Sequence, residues 1–468
     1  MNRYKKLFSD TVILAFGTFG SKLLVFLLMP LYTALLSTSQ YGTAELITST
    51  ANLLIPLACV GITNGIFRFA AERNSDQAAV FSSSVVLLGG GTGIFLLLSP
   101  LLFLIPYFDG YTWLILLYVI MANVQAVCAQ YVRAIDRTRL FAFQGILNTL
   151  LTVSLNVVFL VVWDMGVLGY VLSVILGNLF TAIFLFVVAK LWSVFRISKI
   201  NRSLMGELLR FSLPMIPTTV CWLITDLSDR YLVTYFCGDA INGVYSAAYK
   251  IPTIVNLISG IFMQAWQFSA VSQSSDEDTC KRFYSEVFGG FLSVIFIGAG
   301  GLILFSELLT DWLLNDAYAG AAYYMPTLLC AAAIEAIVSF LATVYMVRKK
   351  SMNSFLTAMS GAMLNIVLNL ILIPKFDALG AAVATLISYG LVFLLRVVDA
   401  PRLIRFRLYL PRLIANLALL LLSCVVMTVR PLAWIWIVIA LTAAIVAVNA
   451  PALLKSVRRM LANRRRTE

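Results

Sequence analysis

Positive charge along this chain is confined to every second gap between apolar segments, a pattern that few folds can produce. Fourteen segments are apolar over about 20 residues or more, enough to cross a bilayer as helices. Of the 34 Lys and Arg, 29 lie in alternate loops, at the segment ends that adjoin them or in the two tails, from Arg3, Lys5 and Lys6 to the basic run ending at Arg466. Only Lys375 and Arg430 lie in the opposite set of loops, while Lys22, Arg230 and Lys250 fall inside segments. Loops that remain in the cytoplasm keep Lys and Arg because translocating them is costly, so both termini are expected in the cytoplasm.

Composition points the same way. Hydrophobic residues make up 61% of the 468 and charged residues 12%, about half the charged share of a soluble protein. The expected fold is all-α, a polytopic membrane protein with no room for a separate soluble domain. The net charge of +12 would suggest nucleic acid in a soluble protein; here basic loops facing anionic lipid account for it, and no nucleic-acid partner is expected. Seven cysteines show neither a CxxC pair nor metal-ligand spacing, and most sit in apolar runs as small core residues. With no histidine in the chain, any proton relay must use carboxylates. The first apolar run carries Lys22 and lacks a small-residue cleavage site, so it reads as a retained helix rather than a signal peptide.

The segments are read at 9–35, 44–70, 78–105, 111–133, 140–163, 166–190, 207–236, 241–270, 283–306, 320–346, 352–374, 378–398, 409–429 and 431–454. They repeat at a period of roughly 200 residues. The pair at 140–190 has an Asn-bearing helix (Asn148, Asn156), a turn with Asp164, Gly166 and Gly169, then a small-residue helix. The pair at 352–398 has the same order, with Asn365, Asn369, then Asp377 and Gly380. Earlier, "SQYGTAELITSTANLLIPLACVGI" (39–62) resembles "INGVYSAAYKIPTIVNLISGI" (241–261). Six segments per half is an even number, so the copies share one orientation, the arrangement of a rocking transporter with its site between two lobes. The expected division is 1–195, an N-terminal lobe of helices 1–6; 196–400, a C-terminal lobe of helices 7–12; and 401–468, an appended helix pair with a basic tail.

Charges inside a bilayer are costly and mark function by default. Lys22 lies about 20 Å from the outer end of its helix at 1.5 Å per residue, too deep to snorkel, and no carboxylate stands three or four residues away. Lys250 lies about 14 Å deep by the same rise, and Arg230 about 9 Å. Cations from both halves at similar depth suit a central cavity holding an anion; ion pairs that only join helices are the plain alternative. For Arg230 that alternative is Asp226, one turn earlier on the same face. Arg68, at the inner end of its helix, faces either the cavity mouth or the headgroups. Among carboxylates, Asp226 and Asp229 share a stripe with Arg230, and Glu335 sits in "CAAAIEAIV" at mid-helix. Glu335 fits either a coupling-ion role or a structural hydrogen bond. Asn365 and Asn369 could offer oxygens to Na⁺ or hydrogen-bond between helices.

The run "LPMIPTTVCWLITDLSDRYLVTYFCGDAINGVYSAAYKI" (213–251) resembles the seventh and eighth helices of bacterial polysaccharide flippases, of the multidrug/oligosaccharidyl-lipid/polysaccharide (MOP) exporter superfamily. Likewise "MPLYTALLSTSQYGTAELI" (29–47) is similar to the first loop of that family, and "NIVLNLILIPKFDALGAAVAT" (365–385) to its helices 11 and 12. The resemblance covers essentially the whole chain. It implies alternating access around a cationic cavity that carries a polyprenyl-diphosphate-linked oligosaccharide from the inner to the outer leaflet of the bacterial cytoplasmic membrane, for cell-envelope polysaccharide synthesis. Lys22, Lys250, Arg230 and Arg68 would meet the diphosphate. Relatives that flip the peptidoglycan precursor imply coupling to Na⁺, H⁺ or membrane potential, with Asp226, Asp229, Glu335, Asn365, Asn369 and Thr385 as the nearest candidates here. No cofactor is implied. Partners would be the lipid-linked substrate, membrane lipids, and glycan polymerases or glycosyltransferases.

Two other readings use the same features. A drug or cation antiporter would line its cavity mainly with acidic residues, whereas Lys22 and Lys250 tip this chain toward anions. A membrane glycan polymerase or glycosyltransferase needs an acceptor-handling outer loop, and the longest outer gap, near 307–319, offers only Glu307, Asp311 and Asp316. The glycan itself is not encoded legibly: O-antigen, capsule, teichuronic acid and peptidoglycan precursor all present a similar diphosphate.

Overall fold

A computed structural model describes residues 28–71, 76–104, 110–272, 277–348 and 350–467. Among them there are helices and turns and no strand, so the all-α, multi-pass expectation holds. Among the described residues, nine helices are long and apolar enough to cross a membrane. One of them, 352–403, contains two of the expected segments, so ten of the fourteen are matched by continuous spans. The segment at 9–35, with Lys22, lies mostly outside the described residues.

The chain divides into two compact units, one ending at Tyr231 and the other beginning at Leu232. The first holds α1 (Met29–Leu35), α2 (Thr38–Ala58), α3 (Ile62–Ala70), α4 (Gln77–Leu98), α5 (Thr112–Ala134), α6 (Thr138–Asn156), α7 (Gly166–Val188), α8 (Arg202–Ser212) and most of α9 (Ile216–Cys237). The expected span at 44–70 is broken in two. Val60 and Gly61 take left-handed φ values of 53° and 67°, just after Pro56 in the last turn of α2. A side chain at 61 would stand 3.0 Å from the Ser212 carbonyl oxygen and 3.1 Å from Ile216 Cγ1. Glycine therefore supplies both the turn and the close approach. Around this break Cys59, Ile66, Phe81, Val127, Tyr131 and Leu185 pack into one buried cluster. Similarly, 207–236 is divided at the turn Leu213–Met215 just before α9, where Pro214 has no backbone donor.

The connection after α7 is tied down by side chains at the start of α4. Ser82 accepts the backbone N–H of Arg196 at 2.9 Å, and Ser83 that of Asn201 at 3.2 Å. Asp76 caps α4 by accepting from the Ala79 N–H, and also accepts from Lys199 Nζ at 2.7 Å. The Lys199 ammonium, more than the cap, holds the Asp76 carboxyl below the usual carboxylate range.

The second unit holds α10 (Asp239–Lys250), α11 (Thr253–Ser272), α12 (Glu277–Leu304), the short α13 (Ser306–Leu313), α14 (Ala321–Val347), α15 (Ser351–Leu403), α16 (Leu410–Val429) and α17 (Trp434–Thr467). Here the span read at 241–270 is interrupted at Ile251–Pro252, where proline cannot donate to the helix ladder. Aromatic rings fill the inner part of this unit: Phe340 lies 5.0 Å from Trp266, 5.0 Å from Phe288 and 5.4 Å from Phe291. Arg396, counted from sequence among loop charges, is 1% exposed. Its guanidinium donates to Thr357 Oγ1 (3.0 Å), the Val338 carbonyl (2.9 Å) and the Ser354 carbonyl (3.2 Å), joining α14 to both limbs of α15. In the appended pair, Arg412, Asn416 and Asn449 form a polar knot that also reaches the Gly289 carbonyl of α12 at 3.0 Å.

The repeat seen in sequence has a conformational counterpart. Asp164 and Asp377 both adopt positive φ, 48° and 52°. Eight residues before each stands a fully buried asparagine, Asn156 or Asn369. After each turn a glycine touches the preceding limb: a Cβ at Gly169 would lie 2.9 Å from Phe159 Cβ, and one at Gly380 would lie 2.5 Å from the Leu372 backbone.

Candidate functional site

In the first unit the polar residues of α2, α7 and α9 converge. The start of α2 is fixed by a reciprocal cap: Ser37 Oγ accepts from the Gln40 N–H at 3.2 Å, and Gln40 Oε1 from the Ser37 N–H at 3.0 Å. That phasing puts Tyr41, Glu45 and Thr48, at i, i+4 and i+7, on the buried side of α2. Glu45 is 3% exposed, eight residues past the cap, or about 12 Å into the helix. Its Oε2 accepts from Arg230 Nη1 at 3.2 Å, and its Oε1 from the Tyr170 hydroxyl at 3.0 Å. Arg230 Nη1 also donates to Ser49 Oγ and to the Glu45 backbone carbonyl at 3.4 Å. One residue on, the hydroxyls of Tyr231 and Thr50 share a hydrogen bond of 3.1 Å. Tyr32 and Tyr41 flank the carboxylate, their rings edge-on to Tyr170 at 5.0 and 6.2 Å. Asn156 Nδ2 donates to the Tyr32 hydroxyl at 3.0 Å.

Energetically this is a buried ion pair that stands because both oxygens of the carboxylate are met by donors. Taking two charges out of water is repaid only with such supplementary hydrogen bonds, and removing one partner leaves the other uncompensated. The sequence paired Arg230 with Asp226; the structure gives it Glu45 as a partner, and the Asp226 side chain lies outside the described residues. Asp229, its neighbour on α9, is 1% exposed. Arg68 is exposed in the last turn of α3.

In the second unit Lys250 is half-buried in the last turn of α10, where the helix dipole favours a cation. The Lys250 carbonyl, freed by the Pro252 break, accepts the Thr253 hydroxyl. Glu335 Oε2, half-buried at the middle of α14, accepts from Asn256 Nδ2 at 2.9 Å. The structure brings three of the candidate coupling residues together: Asn365 Nδ2 donates to Thr385 Oγ1 at 3.1 Å, and Asn369 Nδ2 to Asn365 Oδ1 at 3.1 Å. All three are buried. The chain of amides and hydroxyl bridges the two limbs of α15 across the Asp377 turn. Among the described residues no three or more His, Cys, Asp or Glu converge as metal ligands.

Glu45 escaped the sequence reading because it stands one residue inside an expected span and so looked interfacial. The signal was there in Tyr41, Glu45 and Ser49, spaced four apart on one helical face. Arg396 was missed for the same reason at the other end of a span.

The family model described as "Polysaccharide biosynthesis protein" matches residues 7–268, more than half of the chain. No curated protein sequence matches. Among solved structures, the chain is similar to the lipid II flippase MurJ in an inward closed conformation, with TM-score 0.70 and 14% identity over 95% of this chain and 99% of that one. It is similar to an inward-facing multidrug resistance MATE family transporter of the MOP superfamily, with TM-score 0.66 and 12% identity over 83% and 98%. A third is a MOP superfamily transporter from Pyrococcus furiosus described by a reversed polarity of its binding pocket, with TM-score 0.60 and 12% identity over 84% and 96%. At these identities the likeness establishes the fold alone, an all-α multi-pass arrangement of apolar helices.

Proposed function

We propose that this chain, which belongs to the polysaccharide biosynthesis protein family, flips a polyprenyl-diphosphate-linked oligosaccharide from the inner to the outer leaflet of the cytoplasmic membrane by alternating access. Both termini are then cytoplasmic, and the two six-helix halves, 1–195 and 196–400, are the moving lobes. The observation that carries the reading is a guanidinium, Arg230, held within the helices of a chain from this family. A diphosphate head cannot cross a dry bilayer, whereas a prenyl tail can remain in lipid. Cations in a wet cavity offset the head's desolvation, and planar guanidinium groups match phosphate oxygens closely. Lys22, Lys250, Arg230 and Arg68 are assigned to the diphosphate. Asp229, Glu335 and the Asn365–Asn369–Thr385 chain, with Asp226, are assigned to ion coupling, their oxygens being the ligand type that Na⁺ or a proton requires. A transporter needs no catalytic residue, and none is assigned.

The test is deletion of the gene followed by identification of the lipid-linked saccharide that builds up on the inner leaflet. Accumulation of one undecorated diphosphate-linked glycan supports the proposal. Absence of accumulation, together with new sensitivity to cationic dyes, would show a drug antiporter instead.

A further inference from the structure

The ion pair of Glu45 and Arg230 involves one of the residues assigned to the substrate. All the acceptors of Arg230 named above, Glu45 Oε2, the Glu45 carbonyl and Ser49 Oγ, belong to a single turn of α2. In the sequence repeat, α2 and α7 belong to the first copy and α9 to the second. The clasp therefore fastens a helix of the second copy to two helices of the first, near the end that the charge pattern places outside. The Thr50–Tyr231 hydrogen bond reinforces it. The two side chains are not equally shielded: 13% of the Arg230 side chain stays exposed against 4% of Glu45. Arg230 is thus the more accessible member of the pair, while the carboxylate lies beside Tyr32, Tyr41 and Tyr170.

We infer that Glu45 is an internal anion that occupies Arg230 in the empty protein, and that the substrate's diphosphate displaces it, opening the clasp between α2 and α9. The inference rests on the flippase reading and deepens it by naming a residue that sets specificity. Glu45 offers one negative charge, already shared with the Tyr170 hydroxyl. A diphosphate offers more charge and more oxygens to the guanidinium fork, so it can replace the carboxylate. A monophosphate or carboxylate ligand competes on nearly equal terms and leaves the clasp shut. The clasp thus couples opening to the presence of a diphosphate, and an empty carrier stays closed at this end. Tyr170 acts through Glu45: its hydroxyl keeps the carboxylate aimed at Arg230 and holds it in place when the pair parts.

The experiment uses the full-length protein in detergent with two probes, a short-chain prenyl diphosphate and the corresponding monophosphate, with binding followed by calorimetry. Wild type should prefer the diphosphate. If the clasp is closed about nine-tenths of the time, removing it tightens apparent binding about tenfold, because affinity is reduced by the fraction of competent protein. Glu45→Gln should therefore bind the diphosphate about tenfold tighter and narrow the preference over the monophosphate. Tyr170→Phe should shift both in the same direction by less, and serves if Glu45→Gln does not fold. Arg230→Gln should weaken diphosphate binding. Unchanged or weaker diphosphate binding in both Glu45→Gln and Tyr170→Phe, with normal wild-type binding, would overturn the inference and leave the flippase reading standing. Failure of wild type to bind either probe would overturn the flippase reading itself.

Discussion

Neutralising Glu45 should destabilise the first unit in a way that depends on Arg230. Glu45 is 3% exposed and its two oxygens meet Arg230 at 3.2 Å and Tyr170 at 3.0 Å. Removing one member of a buried ion pair typically costs about 3–5 kcal/mol, because the other charge is left uncompensated. Glu45→Gln softens that loss. The amide oxygen still accepts from Tyr170, and Arg230 retains Ser49 and the backbone carbonyl. The loss then approaches that of one charge-assisted hydrogen bond, about 1.5–3 kcal/mol. Arg230→Gln should cost more, about 3–5 kcal/mol, since it leaves a buried carboxylate without its cation. The double variant removes both charges and should recover part of the sum, giving a coupling of about 1.5 kcal/mol or more. Unfolding of the four proteins by denaturant in detergent micelles measures the cycle. Losses that add to within about 0.5 kcal/mol would refute the pair as an energetic unit.

Lys22→Ala and Lys250→Ala should each abolish transport while leaving membrane insertion intact; wild-type transport in both would make these cations structural. Asn365→Leu breaks the hydrogen bonds to Thr385 and Asn369 and should cost about 1–2 kcal/mol. It should also remove any Na⁺ dependence of transport, and a Na⁺ response equal to wild type would restrict the asparagine to packing. Gly380→Ala places a methyl 2.5 Å from the Leu372 backbone and should destabilise by about 1–3 kcal/mol, whereas Gly390→Ala, with nothing within 4 Å, should be neutral or stabilising in the same melt. The Asp76 carboxyl has a lower pKa folded than unfolded, so its contribution is present at neutral pH and is lost as pH falls through the folded value, below the usual range of about 4. Hydrogen-exchange protection of the 193–206 linker, taken relative to the intrinsic rate at each pH, should therefore fall on strong acidification in wild type and not in Asp76→Asn, which should be less protected already at pH about 7.

Much of the fold was legible because membrane insertion leaves its record in composition. Apolar length and alternating Lys and Arg gave the spans, and most of those at 78–190 and 283–454 were continuous helices. The Asn–Asp–Gly repeat was legible because a turn at positive φ and a close helix approach constrain residue type directly. Breaks inside spans were harder to read: Pro56, Pro214 and Pro252 announce bends, but whether a proline bends or divides a helix depends on what packs beside it, as Ser212 and Ile216 do at Gly61. Glu45 carried a local signal in its spacing from Tyr41 and Ser49, but its partners were illegible for a related reason. Its significance lies in Arg230 and Tyr170, 185 and 125 residues away in sequence, and only the tertiary fold supplies them. Local spacing offered Arg230 a partner in Asp226, and tertiary structure brought another.

The central claim is tested most directly by reconstituting the full-length protein into liposomes with a fluorescent polyprenyl-diphosphate oligosaccharide in both leaflets. Quenching by a membrane-impermeant reductant then reports exchange between leaflets. The expected result is rapid loss of the protected inner pool with wild type, slowed to the rate of empty liposomes by Lys250→Ala. Protection unchanged by the wild-type protein, or transport of a cationic dye in its place, would contradict the account.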